Sequence, residues 1–295
     1  MGNMLEEMGY SKNDRLVILH ADDLGMCQAT LTAFEKLWAC GGVSSGAVMP
    51  PCPWFPGLTA FMRDHPDVDM GIHATLNCEW DSYRWGAVST CDLESGLLDE
   101  DGYLHKDPAK TLEQASPEVV SAELTAQIDR VRKAGIEFSH IDSHMGALFF
   151  STYIEDYVKQ AIDNKVPAML PRVNAVGIEG LGFTEEKMEI FEPVLDELER
   201  QGFPLIDGIL MMPLNQPEGQ MEIAKKLLSQ VPVGVTHFIL HPAEDTPELR
   251  SICPDWPSRV ANYQTFMDEE LRAFLISERI HVIGYKELRG VMRAA

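Results

Sequence analysis

The chain alternates short apolar runs with stretches of helical periodicity along most of its length. The runs that predict strands are RLVILHADD, SSGAVMP, DVDMGIHATL, EFSHIDSH, PAMLPRVN, FPLIDGILM, THFILHP and HVIGY. Helical spacing is clearest in ATLTAFEKLWACGG and PEVVSAELTAQIDRVRKAG, between those runs. Repeated strand-then-helix units require a parallel sheet. About seven or eight such units predict an α/β fold whose sheet closes into a barrel.

Residues 79–115 differ from this pattern. They are rich in Asp, Ser, Gly and Trp and show little periodicity, which predicts an irregular insertion near the mouth of the barrel. The sequence contains no internal repeat, low-complexity tract or linker. We therefore expect one domain over residues 1–295.

The charge balance limits the choice of partner. The 295 residues include 46 Asp and Glu against 24 Lys and Arg, a formal net charge of -22. Such a surface repels nucleic acid and anionic lipid, which leaves neutral or cationic small molecules as ligands. The six cysteines form no CxxC pair, as in proteins of reducing compartments. With no apolar signal region or membrane-length run, we expect a cytoplasmic protein.

Polar side chains stand at the ends of four predicted strands. They are Asp22 and Asp23 after VILHA, His73 after MGI, His140, Asp142 and His144 in SHIDSH, and His241 after FIL. The carboxyl ends of parallel strands meet on one face of such a fold, so these residues are expected to lie together.

This set is able to support metal chemistry. One carboxylate and two imidazoles form a common facial ligand set for a divalent metal, with positions left for water and substrate. A second carboxylate acts as a base on water, and a further histidine protonates a leaving group. Taken singly, each residue also has a structural interpretation: Asp22-Asp23 as a loop or helix cap, His73 as a buried hydrogen-bonded histidine, and HIDSH as a structural network.

The order ADDLG, GIH, HIDSH and LHP resembles the YdjC-like carbohydrate deacetylases. This group includes chitooligosaccharide deacetylase and is related to the polysaccharide deacetylases. The resemblance covers nearly the whole chain, with support from GGVSSGAVMPPCPWFPG, AQIDRVRKAGIEFSHIDSH, VPAMLPR and LRAFLISERIHVIGYKEL. It implies an irregular (β/α) barrel that forms a single catalytic domain.

The resemblance also implies a role for each candidate residue. The implied metal ligands are Asp23, His73 and His144, the implied base is Asp22, the implied acid is His241, and Arg172 is implied to hold the Asp22 carboxylate. The implied reaction removes an N-acetyl group from a small, neutral amino sugar or oligosaccharide. One divalent ion is implied. Ligand type favours zinc or another transition ion, whereas family members are often described with magnesium. A homodimer is expected from base rates.

Two segments depart from the family pattern. Met145-Gly146-Ala147-Leu148 stands where the family usually has Gln-His-Val-His, and Ala243 is followed by Glu244-Asp245 where the family tends to have HPG. We expect these changes to alter the preference for the sugar more than metal binding.

Two other functions compete with the hydrolase. A non-haem iron oxygenase also uses two histidines and a carboxylate, but needs neither Asp22 nor His241. A non-catalytic saccharide-binding protein is suggested by the altered segment after His144. The aromatic residues Trp80, Tyr83 and Trp85 of the insertion either stack on a sugar or pack the insertion onto the barrel.

Overall fold

The computed structural model describes residues 4–178 and 185–294. Its strands are β1 Arg15–Leu24, β2 Ser45–Val48, β3 Met70–Ala74, β4 Ile141–Ser143, β5 Pro171–Val176, β6 Ile206–Met211, β7 Gly234–Leu240 and β8 Ile280–Val282. Its helices are α1 Met4–Glu7, α2 Gln28–Cys40, α3 Phe55–Asp64, α4 Pro108–Gln114, α5 Pro117–Lys133, α6 Ile154–Asn164, α7 Glu185–Arg200, α8 Gln220–Leu228, α9 Pro247–Ile252, α10 Trp256–Met267, α11 Glu269–Ser277 and α12 Tyr285–Ala294. Each strand overlaps one of the predicted apolar runs.

The strands form one parallel sheet in the order β4-β3-β2-β1-β7-β6-β5, with β8 paired to the start of β1. Strand β1 is the centre of this order, and its longest pairing is with β7, from Arg15 opposite Gly234 to Ala21 opposite Leu240. All carboxyl ends therefore open on the same side of the sheet, as the strand-then-helix pattern predicts.

The two edges of this sheet approach each other through the segment before β5. A parallel bridge joins Ile141 of β4 to Ala168, with hydrogen bonds from Ile141 N to Pro167 O (3.1 Å) and from Met169 N to Ile141 O (2.9 Å). The next residue, Leu170, accepts a hydrogen bond from Ile206 at the start of β6 (3.0 Å). The seven-strand path thus curls into an irregular barrel, which confirms the predicted fold class.

Alternation along β1 divides its side chains between two environments. Leu16 and Ile18 belong to an apolar cluster that also contains residues of β6, β7 and α12, so they face the barrel interior. Since successive side chains of a strand point to opposite faces, His20 and Asp22 continue this interior row toward the carboxyl end. The interior is therefore apolar at the amino end of β1 and polar at the carboxyl end.

Two terminal helices cover the amino end of the barrel. Tyr285 and Leu288 of α12, together with Leu5 of α1, are buried in the same apolar cluster as Leu16 and Ile18. In the described part of the chain, no helix has the length and apolar character needed to cross a lipid bilayer.

The segment 79–115 is mainly irregular, with a single turn of 3₁₀ helix at Leu93–Ser95, an isolated bridge between Leu98 and Leu104, and α4 near its end. Its aromatic side chains contact the barrel. The Tyr83 hydroxyl donates to Met26 O (2.8 Å), and Trp85 Nε1 donates to Asn77 O (3.0 Å). Tyr83 and Trp85 therefore pack the insertion onto the barrel, which is the second of the two roles considered for them from the sequence.

Gly71 of β3 provides a test of the interior packing. A Cβ atom at this position would lie 2.3 Å from Cε1 of the buried His140 ring, which stacks on Tyr285 on its other side. We predict that Gly71→Ala lowers the free energy of unfolding by about 1–3 kcal/mol, since the ring has little space to move. Urea denaturation measures the effect.

Gly290 supplies the control, because it is exposed in α12 and an added Cβ would meet nothing within 4 Å. Gly290→Ala should be neutral or stabilising by up to about 1 kcal/mol from helix propensity. Equal stability of Gly71→Ala and the wild type would contradict the packing argument.

Candidate active site

A backbone irregularity at the end of β1 brings two adjacent carboxylates to one side. In a regular strand Asp22 and Asp23 would point to opposite faces. Asp23 instead has a left-handed φ of 59°, and the pairing with β2 shifts register between Ala21 and Leu24. Both carboxylates consequently approach the same ring atom, His73 Nε2, at 3.8 Å from Asp22 Oδ2 and 3.5 Å from Asp23 Oδ1. Such strain at a bulge is typical of functional sites.

The three predicted metal ligands form a compact triangle of donor atoms. His144 Nδ1 lies 3.2 Å from Asp23 Oδ1 and 3.3 Å from His73 Nε2, and the third side is 3.5 Å. Donor atoms about 2.1 Å from one ion at tetrahedral angles lie about 3.4 Å apart. Among the described residues, the buried Asp23 Oδ1 has no hydrogen-bond partner. The donor set therefore fits a divalent cation.

In each of these three residues, the polar atom that points away from the triangle is bound by a neighbouring side chain. Asp142 Oδ1 is 2.7 Å from His73 Nδ1, and Glu79 Oε2 is 3.0 Å from His144 Nε2. A carboxylate that accepts from one ring nitrogen directs the lone pair of the other toward a metal. The buried Arg259 of α10 donates from Nη1 to Asp23 Oδ2 at 2.6 Å.

The charges around these ligands set their protonation. Burial favours a neutral Asp23, but Arg259 and the two histidines outweigh it and hold the pKa of Asp23 well below its usual range. Burial opposes charge on His144 as well, yet Glu79 and Asp23 raise the pKa of His144 to about 9. The site thus attracts positive charge strongly.

The predicted base and acid face each other beside this triangle. Asp22 Oδ2 lies 3.8 Å from His241 Nε2. Burial raises the pKa of Asp22, but His73 and His20 outweigh burial and lower it, so the carboxylate is ionised at neutral pH. Burial lowers the pKa of His241, so its imidazole is neutral until it receives a proton and then gives that proton up more readily than an ordinary histidine does.

The structure corrects the prediction for Arg172. Its Nε donates to Asp207 Oδ1 at 2.8 Å, and its Nη1 pairs with Glu199, both away from the metal triangle. Asp22 is held instead by His20, whose Nδ1 lies 2.7 Å from Asp22 Oδ1. The resemblance assigned Arg172 from the sequence LPR, whereas Arg172 lies at the amino end of β5 and its partner Asp207 is carried by the neighbouring strand β6.

A second group of possible ligands lies deeper in the barrel, composed of His20, Asp22, Asp142 and His237. It is less suited to a cation than the first. Both ring nitrogens of His20 are already hydrogen-bonded, to Asp22 and to His140 Nε2 (2.8 Å). One oxygen of Asp142 is bonded to His73.

A cavity of about 250 Å³ opens over these residues. One wall is polar and consists of Asp22, His73, Asp142, Ser143, His237 and His241, and the other consists of Met145, Gly146, Phe149, Met169, Met211 and Ile239. A larger cleft of about 320 Å³ between α6 and α7 has mainly aliphatic walls and no converging polar groups, so it is not the reaction site.

The segment that departs from the family pattern reaches this cavity. Met145 and Gly146 line it, and both have left-handed φ values, 52° and 66°. Ala147 and Leu148 are buried against the core. Trp80 of the insertion lies over Arg259, whose Cζ is 5.6 Å from the ring centroid.

Residues 16–277 match the family of YdjC-like proteins, and the chain belongs to that family. It is 29% identical to a protein named carbohydrate deacetylase from Thermus thermophilus over 98% of this chain and 99% of the relative. A carbohydrate deacetylase from Listeria monocytogenes is 26% identical over 92% and 99% of the two chains. The crystal structure of an Enterococcus faecalis protein described as a cellobiose-phosphate cleavage protein shares the fold, with a TM-score of 0.77, 20% identity and coverage of 93% and 99%.

The contact between Glu79 and His144 gives a test of the candidate metal site. Glu79→Gln keeps the size of the side chain but removes the charge that orients His144. We predict that the affinity for zinc falls by about 10-fold to 100-fold, as is usual when a residue behind a metal ligand is changed. Isothermal titration of chelator-treated protein with zinc measures it.

Glu94→Gln is the matched control, since Glu94 lies in the same segment and is exposed. It should bind zinc like the wild type. His144→Ala should abolish tight binding at this site, and unchanged affinity in both Glu79→Gln and His144→Ala would refute the assignment of the ligands.

Proposed function

We propose that this protein is a metal-dependent hydrolase that removes an N-acyl group, acetate in the simplest case, from a small amino sugar. The observation that carries the proposal is the placement of an ionised Asp22 and a neutral His241 across one cavity, directly beside a triangle of donor atoms fit for a divalent cation. Membership of the YdjC-like family and the relatives named carbohydrate deacetylase support the sugar as substrate class.

Asp23, His73 and His144 would hold the ion. When bound, a divalent ion supplies Lewis acidity toward an amide carbonyl and a water molecule. Ligand softness favours zinc or another transition ion over magnesium for a set with two imidazoles. Arg259, Asp142 and Glu79 keep the three ligands in place.

Asp22 is the proton acceptor in this scheme. Its Oδ1 is occupied by His20, and its Oδ2 faces the cavity near His73 and His241. A water molecule that attacks the carbonyl carbon transfers its proton to Oδ2 as the carbon–oxygen bond forms. The water oxygen remains on the carboxylic acid product.

His241 is the proton donor to the departing nitrogen. Because burial lowers the pKa of His241, its imidazolium form readily gives up a proton. Asp22 Oδ2 lies 3.8 Å from His241 Nε2, close enough for the proton that Asp22 takes from water to reach His241 through the reacting groups. The carbon–nitrogen bond breaks as the amine is protonated. The reaction therefore returns both residues to their starting states, and its products are a carboxylic acid, which loses its proton to solvent at neutral pH, and a free amino sugar.

The cavity favours a small substrate. Its volume of about 250 Å³ lies just below the range typical of ligand pockets, which is about 300–1,000 Å³. The apolar wall would contact the acyl group or the non-polar face of a sugar ring. An iron oxygenase has no use for Asp22 and His241 in these positions, so the hydrolase is the better account.

Acetate release from N-acetylglucosamine and its short oligomers tests the proposal. We predict that zinc-loaded wild type releases acetate, and that Asp22→Asn lowers kcat by about 100-fold to 10,000-fold while zinc binding is retained, since that is the usual contribution of proton transfer by a positioned base. His144→Ala should lose both activity and metal.

Asp64→Asn, at the exposed end of α3, is the matched control and should keep full activity. Saccharide binding without acetate release in the metal-loaded wild type would support a binding protein instead. Turnover that requires iron, oxygen and a 2-oxo acid would support an oxygenase.

A further inference from the structure

His237 of β7 lines the cavity, and the proposed reaction gives it no part. Val235 and Ile239 of the same strand belong to the apolar cluster of the barrel interior. Alternate residues of a strand share one face, so His237 is directed into the barrel between them. It is a polar side chain in a row that is otherwise apolar along β7.

Tyr285 holds the ring of His237 in place. The Tyr285 hydroxyl oxygen lies 2.8 Å from His237 Nδ1. Tyr285 is the first residue of α12 and is fully buried, and its ring stacks on that of His140 with the centroids 3.7 Å apart. Within the described part of the chain, the hydroxyl has no second hydrogen-bond partner.

The direction of this hydrogen bond follows from the burial of Tyr285. Burial raises the pKa of Tyr285 well above its usual range, so the hydroxyl keeps its hydrogen. If Nδ1 of His237 also carried a hydrogen, the hydroxyl could only accept, and its own hydrogen would be buried without an acceptor among the described residues. Such an unsatisfied buried donor is unfavourable. Tyr285 therefore donates to His237 Nδ1.

This direction fixes the tautomer of His237. An imidazole ring carries at least one N–H, on Nδ1 or on Nε2. Since Nδ1 accepts from Tyr285, the hydrogen is on Nε2. Burial also lowers the pKa of His237 well below its usual range, in agreement with a ring that carries one hydrogen only.

The Nε2 atom of His237 is open to the cavity. It has no hydrogen-bond partner among the described residues, yet it is not one of their fully enclosed unpaired atoms. Met169 and Ile239, which line the same cavity, have no polar side-chain atoms. A single N–H donor beside apolar side chains is the kind of group that fixes the orientation of a bound small molecule.

We infer that His237, held by Tyr285, donates a hydrogen bond from Nε2 to an oxygen atom of the substrate in the cavity. The acceptor is a hydroxyl oxygen of the sugar or the carbonyl oxygen of its acyl group. Only the identity of the substrate rests on the proposed function, since the direction of the bond between Tyr285 and His237 follows from the structure. A nitrogen that carries a hydrogen has no lone pair for a cation, so His237 is a substrate-binding residue rather than a ligand in the deeper group.

The tautomer is visible in zinc-loaded protein labelled with ¹⁵N-histidine. Two-bond ¹H–¹⁵N correlation spectra show which ring nitrogen carries the hydrogen. We expect His237 to carry it on Nε2 at about pH 8, where exposed histidines with an unperturbed pKa of about 6.5 are neutral. The signals are assigned by their loss in His237→Gln. A hydrogen on Nδ1 of His237 would overturn the inference.

Tyr285→Phe tests the origin of the tautomer. It removes the hydroxyl and keeps the ring that stacks on His140, so the Nδ1 signal of His237 should shift as its hydrogen bond is lost. Tyr103→Phe is the matched control, because Tyr103 is exposed, and it should leave the signals of His237 unchanged. An unchanged Nδ1 signal in Tyr285→Phe would contradict the role given to Tyr285.

Binding of N-acetylglucosamine tests the donor itself. In zinc-loaded Asp22→Asn, which does not consume the sugar, saturation with N-acetylglucosamine should shift the Nε2 signal of His237. No shift at saturation would overturn the inference. These spectra need no turnover, so a protein that binds the sugar through His237 without deacetylating it would refute the proposed function and leave the inference standing.

Kinetics provide a further readout. His237→Leu removes the donor, and we expect kcat/KM for acetate release to fall about 10-fold to 100-fold with zinc affinity unchanged, as for a lost hydrogen bond in a buried site. His237→Gln keeps a donor near the position of Nε2 and should recover part of this loss. Wild-type kcat/KM in His237→Leu would contradict substrate binding by His237. Should His237→Leu fail to fold, the spectra of the wild type and Asp22→Asn still decide the question.

Deoxy sugars identify the acceptor oxygen. If His237 binds a hydroxyl group, one of the 3-deoxy, 4-deoxy and 6-deoxy analogues of N-acetylglucosamine should lose kcat/KM in the wild type and lose no more in His237→Leu. If it binds the carbonyl oxygen, each analogue should lose the same factor in both proteins.

Discussion

The arrangement of this site depends on the mutual repulsion of three buried carboxylates. Asp22, Asp23 and Asp142 all approach the ring of His73, at 3.8, 3.5 and 2.7 Å. Like charges away from water destabilise a fold unless each has a cationic or hydrogen-bonding partner. Arg259 serves Asp23, His20 serves Asp22, and His73 with His140 lowers the pKa of Asp142 well below its usual range. The remaining negative charge is available to a divalent cation.

Two local backbone features allow these buried side chains to come together. The left-handed Asp23 turns a second carboxylate toward the cavity, and Gly71 leaves space for the His140 ring in the wall between β3 and β4. Neither feature adds apolar contacts of its own. The fold tolerates them because two other features fix the strands that carry the polar groups. These features are the long pairing between β1 and β7 and the apolar cluster at the amino end of the barrel.

The sequence predicted the strands well because each is a short apolar run with clear ends. It also brought together Asp22, Asp23, His73, His144 and His241, because parallel strands place their carboxyl ends on one side. Arg259 was missed since it comes from a helix, where no strand-end argument applies. The partners of His20 and Arg172 were not predicted, because they depend on which side chains the strand register places next to each other. One signal for His20 was present: Leu16, Ile18, His20 and Asp22 share one face of β1, so a polar residue in that row required a buried partner.

In the proposed reaction, chemistry and specificity belong to different parts of this barrel. The groups to which we assign the reaction stand on β1, β3, β4 and β7 or directly after them, where hydrogen bonds within the sheet hold them in place. The apolar wall of the cavity includes Met145, which follows His144 directly, adopts a left-handed conformation and is 45% exposed. A flexible thioether at the rim contacts varied apolar groups. Sequence changes in this segment can therefore alter the preferred substrate of the proposed reaction while the candidate metal ligands and Asp22 stay in position.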